Sequence, residues 1–178
     1  MRHNDTRKRL RIRRSGAGPA AADTPHPGSS RLCATLLEIS AADTRPAVCN
    51  AVAPYLGEET GASAIFAVVP HPAGQLATVV TPGSERSGIS LPTTGPFAAA
   101  MPGQPVLVPD ATNSPELHAL SAGAGLAAAA LGASLLHPMG LPSGCAFLVL
   151  THPLQGHFNA THVRRTAPII PFLAQALV

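Results

Sequence analysis

The chain has 178 residues, 46% of them apolar, with 19 prolines, 16 glycines, three cysteines, one tyrosine and no tryptophan. This is one domain's length, enough to bury a core without disulfides or metal, and the Pro/Gly content stays below that of a low-complexity chain. The formal charge of +3 is uneven, since residues 1–30 hold seven Lys/Arg against Asp5 and Asp23, while residues 31–178 hold five basic and seven acidic side chains. The basic character therefore belongs to a tail, which excludes nucleic-acid binding through the body.

In chain order, residues 1–30 read as a basic, Pro/Gly/Ala-rich disordered tail, and the domain as 31–178. Arg13-Arg14 is not followed by an apolar stretch, so no export signal is expected. Arg31–Ser40 predicts a helix with Leu32, Leu36 and Ile39 on one face. Asp43 or Thr44 caps a second helix with Pro46 in its first turn. Val48, Val52 and Leu56 continue its apolar face, and Pro54 is expected to bend or end it. Gly57 and Gly61 close the helical region.

Ala62–Val69 and Gln75–Thr81 predict an antiparallel hairpin across Pro70–Gly74. Gly88–Leu91 reads as a short strand, Thr94–Met101 as one or two helical turns, and Pro105–Val108 as a strand ending at Pro109-Asp110. Glu116–Ala130 is partly helical, weakened by Gly123 and Gly125. Leu131–His137 and Cys145–Thr151 predict a second hairpin. Asn159 or Thr161 caps a final helix with Val163, Ala167, Ile170, Ala174 and Leu177 as one stripe, kinked at Pro168 and Pro171. Two hairpins mean antiparallel pairing, so the fold class is α+β.

The longest apolar stretch, Ala122–Leu136, is broken by three glycines and Ser134 and is too short to span a membrane. Three unpaired, widely spaced cysteines fit a reduced, cytoplasmic setting.

Four stretches, LLEIS with GASAIFAVV (Leu36–Val69), GPFAAAMPGQPVLVPDA (Gly95–Ala111), GASLLHPM with GCAFLVLTHP (Gly132–Pro153) and HFNATHVRRTAPIIPFLAQAL (His157–Leu177), together resemble a GAF domain over nearly all of residues 31–178. The resemblance implies a central antiparallel sheet of about six strands, with the N- and C-terminal helices packed on one side and a small-molecule pocket on the other. It implies a sensing or dimerisation module of bacterial signal transduction, acting in trans on a signalling partner because no output domain is in the chain. Phe97, Met101, Asp110, His118 and Leu136 are the expected ligand-binding residues, lining a largely apolar pocket. The resemblance names no cofactor.

Two other activities in that family set alternatives. Haem-binding relatives ligate iron through one His between the fourth strand and the last hairpin, the window in which His118 falls. Free methionine sulfoxide reductases use cysteines around the fourth strand, whereas residues 50–144 here contain no cysteine. Cys33, Cys49 and Cys145 are therefore expected to be small buried hydrophobes, not catalytic thiols. His152, His157 and His162 lack metal-ligand spacing and read as turn and cap residues, and His71 as exposed in a turn. No enzymatic constellation appears. The last helix carries Ile169, Ile170, Phe172, Leu173, Leu177 and Val178 over more than one face, which predicts a homodimer through the first and last helices.

Overall fold

The computed structural model describes residues 27–178 apart from Ala73 and Ala99. The expected tail over residues 1–26 lies outside the described residues. Helix α1 runs Pro27–Ser40 and α2 runs Arg45–Thr60. α1 thus begins inside the segment assigned by composition to the tail, and Pro27 is tolerated there because the first helical N–H needs no partner.

Thr44 caps α2 by accepting from the Ala47 N–H, and Gly61 ends it at φ 69°, a left-handed cap for which glycine is suited. Pro54 does not end α2, which continues for six more residues. Removing its N–H frees the carbonyl four residues back, that of Asn50, and both residues face solvent. The buried face of Val48, Val52, Tyr55 and Leu56 holds the helix through that gap.

The strands are β1 Ala64–Pro70, β2 Leu76–Thr81, β3 Ser84–Ser90, β4 Val106–Val108, β5 Ala133–Leu141 and β6 Gly144–His152. They form one antiparallel sheet in the order β3-β2-β1-β6-β5-β4. β3 starts four residues before the expected strand. Its Ser84–Ser90 run is exposed and charged and has no apolar signature, and pairing with β2 across Pro82-Gly83 supplies its order instead. The β5–β6 hairpin is longer than expected, closing at Pro142-Ser143. Gly132 is required where the chain enters β5, because a Cβ there would lie 1.8 Å from the Pro153 carbonyl oxygen.

Strand alternation makes two cores. On one side Ile65, Ala67, Leu135, Met139, Leu148 and Leu150 pack under α1, α2 and the last helices. On the other, Phe66, Val68, Leu136, Phe147 and Val149 pack under α3 (Gly95–Ala98) and α4 (Pro115–Gly123). The expected kink is present: α5 (Ala160–Thr166) passes through a 3-10 turn at Ala167–Ile169 into α6 (Ile170–Ala176). The fully buried stripe is Thr166, Ile169, Leu173 and Leu177, spaced as in a continuous helix, while Val163, Ile170 and Ala174 of the expected stripe pack half-buried beside it and Ala167 is exposed.

Candidate functional site

The face expected to bind a ligand lies opposite the terminal helices. α4 is started by Ser114, whose hydroxyl accepts from the Leu117 N–H. Glu116, in its first turn, accepts from Thr94 Oγ1 (2.7 Å) and Ser114 Oγ (3.0 Å), tying the start of α3 to the start of α4. These bonds hold its carboxyl below the usual carboxylate range, led by the Thr94 hydroxyl.

Beneath α3 and α4 the chain closes on itself. Phe97 meets Phe147 edge to face at 5.0 Å, and Leu117, Leu120, Leu131 and Leu136 are fully buried. Phe97 and Leu136, expected as pocket lining, are parts of this packed layer. Met101 is 60% exposed. Asp110 accepts from the Thr112 N–H (3.0 Å), from the Thr112 hydroxyl and from Asn113 Nδ2 (3.2 Å), the turn-capping role. The Thr112 hydroxyl, foremost, holds its carboxyl low. His118 stands in α4, within the segment expected to be partly helical, and its Nε2 donates to the Thr112 carbonyl oxygen at 2.8 Å. The structure therefore brings Phe97 and Leu136 into one layer and leaves Met101, Asp110 and His118 at its margin.

Polar atoms remain in that layer. Ser134 and Thr151 are cross-strand partners on β5 and β6, wholly buried, and by alternation both face the Leu136 and Val149 side. Among the described residues neither hydroxyl has a hydrogen-bond partner, and neither does that of Ser121 on α4. Sequence reading missed this pair; the signal was two hydroxyls at matched positions in otherwise apolar strands.

The thiols lie apart. Cys33 is exposed on α1, contrary to the expectation of burial, because it falls outside the Leu32–Leu36–Ile39 face. Cys49 is buried in α2 against the Val80 carbonyl, and burial pushes its thiol up to about 12. Cys145 is half-buried beside the α3–α4 layer, with its thiol also raised by burial.

The clustered histidines are more than turn and cap residues. His152 stacks on His157 at 3.6 Å, and His157 on His162 at 5.4 Å. His157 Nε2 donates to the Thr60 carbonyl at 2.7 Å, tying the end of α2 to the start of α5. Burial, then the neighbouring His157, lowers the affinity of His152 and His162 for protons. Among the described residues no group of His, Cys, Asp or Glu is arranged to hold a metal ion, and no helix is long and apolar enough to cross a membrane. His71 is exposed in the β1–β2 turn.

Cavities border the terminal helices. One of about 260 Å³ runs between α1 and α6, lined by Leu36, Ile39, Phe172 and Ala176 among others. Another of about 230 Å³ lies at the β5 edge beside His137.

No protein-family model matches the sequence, and no curated protein matches it either. Solved structures do match. Free methionine-R-sulfoxide reductase from Neisseria meningitidis, in complex with its substrate, is 14% identical, with a TM-score of 0.60 over 89% of this chain and 92% of that one. The GAF domain of an Acinetobacter phosphoenolpyruvate-protein phosphotransferase is 9% identical, with a TM-score of 0.58 over 84% and 91%. The phycoerythrobilin-bound GAF domain of a cyanobacterial phytochrome is 14% identical, with a TM-score of 0.58 over 84% and 94%. The chain has a GAF-like α+β fold.

Proposed function

We propose that this GAF-like fold serves as a non-catalytic sensing and self-association module, two copies pairing through the face made by α1 and α6. The observation that carries the reading is where large apolar side chains are left in solvent. Leu37 (72% exposed), Phe172 (46%) and Val178 (69%) stand on or beside the two terminal helices that border the 260 Å³ groove, while Leu76, Met101, Leu107 and Leu154 are exposed singly on strands and loops elsewhere. From Ile170 to Val178 there is no charged side chain, and within α1 Arg31 and Glu38 cancel. Such a face offers no charge repulsion to its own copy, and two-fold pairing is the commonest closed symmetry.

The placement of the thiols supports a non-catalytic role. A reductase of the kind the resemblance raises needs two cysteines beside one pocket. Here Cys33 and Cys49 lie on the helix side, and Cys145 stands alone on the other with a thiol raised by burial. Haem ligation by His118 finds little support, since its Nε2 is held by Thr112 and the adjoining layer is packed.

The hydroxyls of Ser134 and Thr151, unpartnered among the described residues, favour a second reading, in which a small polar ligand enters that layer. Native mass spectrometry separates the readings. The first expects a two-chain mass, whether or not a molecule is retained. A retained molecule lost on Ser134→Ala, Thr151→Val substitution would favour the second. A bare single-chain mass contradicts both.

A further inference from the structure

Two interruptions meet on the helix side of the sheet. β4 pairs only with Ser134–Leu136, so among the described residues no strand lies beside the outer edge of β5 from His137 onward. The last helix breaks opposite, at Ala167–Ile169. Between them lies the 230 Å³ cavity, walled by Pro105, Pro138, Pro171, Ala167 and Ile170, with His137 as its one ionisable side chain.

His137 is 2% exposed. Its Nε2 lies 2.6 Å from Thr166 Oγ1, which also bonds the carbonyl oxygens of His162 (2.9 Å) and Val163 (3.1 Å). That network uses one ring nitrogen, Nε2, and leaves Nδ1 outside it. An apolar cavity open beside a ring with a second polar nitrogen has the form of a small-ligand site.

We infer that this cavity is a binding site for a small uncharged molecule with one ring and one hydroxyl, a phenol in class, seated between the prolines and Ile170 with its hydroxyl on His137 Nδ1. Size sets the ring: a cavity of ~150 Å³ already accepts benzene, and this one leaves room for a substituent. The lining sets the charge, because among the described residues no carboxylate, guanidinium or ammonium lines the cavity. His137 sets the hydroxyl, which both donates and accepts and so serves either tautomer of the ring. The occupant would bridge β5 and the break in the terminal helix. The site is on the opposite side of the sheet from Ser134 and Thr151, and the inference stands whether or not the chain self-associates.

The probes are phenol, toluene and benzoate, followed by NMR at the His137 ring nitrogens and the Ala167 and Ile170 amides. Phenol is expected to shift these signals saturably, toluene to bind at least tenfold more weakly, and benzoate not to bind. His137→Leu should weaken phenol at least tenfold and spare toluene. Ala167→Phe, at the exposed rim, should block both without touching the ring, and it decides the matter if His137→Leu fails to fold. Absence of shifts up to the solubility of phenol, equal binding of phenol and toluene, or binding untouched by Ala167→Phe would overturn the inference.

Discussion

His137 is the one imidazole the fold buries fully among the described residues. An unfolded chain takes up a proton there near 6.5, but in the fold burial drops the value to about 4. Between those values the unfolded state binds more protons, so stability rises with pH across that window. The contribution is present above pH 6.5 and is lost as pH falls toward 4, a difference of ~3 kcal/mol. His152 and His162 are lowered too and tilt stability the same way. Urea denaturation at pH 7.5 and 4.5 should show most of this slope gone in His137→Gln; a variant that keeps the full slope contradicts the assignment. Gly132→Ala should cost ~3 kcal/mol, read in the same assay, because its Cβ meets backbone carbonyl and not a yielding side chain. Neither residue announced itself in the sequence. His137 stands at the end of an apolar run, and only the strand's extension to Leu141 puts it in line with Leu135 and Met139 beneath α5. Gly132 has an ordinary backbone conformation, and its necessity comes from a segment about twenty residues onward.

The caps were legible at the element scale because capping is local: Thr44, Asn159 and the glycine after α2 act on amides and carbonyls within four residues. What local pattern could not supply was which flank of an apolar helix turns inward. Pro168 and Pro171 announce the break, but apolar residues cover more than one face there, and it is Leu173 that is buried while Phe172 is outside. Leu173→Ala should therefore cost ~3 kcal/mol at any protein concentration, whereas Phe172→Ala should stay within ~0.5 kcal/mol in dilute solution. Denaturation curves at low concentration check both, and equal costs would refute the register. Pro54 makes a third case. Its ring interrupts an exposed turn of α2, so Pro54→Ala restores one backbone hydrogen bond and should stabilise the protein by ~1–2 kcal/mol, even after the freer unfolded chain is counted. A loss of stability would mean that the proline ring packs against something the helix needs.

At the scale of the whole molecule, two hairpins and helices at both ends were enough to imply a layered antiparallel sheet. The filling of its far side was not legible. Apolar residues at Phe97, Leu117 and Leu136 are equally required by a pocket wall and by a packed core, and periodicity does not distinguish them. The helix side reverses the problem: its Leu37, Phe172 and Val178 are apolar and are left uncovered among the described residues. Pairing through α1 and α6 accounts for this in one step, with Phe172 as an anchor whose truncation should weaken association by ~2 kcal/mol. Sedimentation equilibrium of the unmodified chain beside Leu37→Glu and Phe172→Glu tests this directly, with thermal midpoints recorded to show that each variant is folded. The account predicts a two-chain mass at high micromolar concentration for the unmodified protein and a single-chain mass for both folded variants. A single-chain mass for the unmodified protein, or a two-chain mass that survives both substitutions, would contradict it.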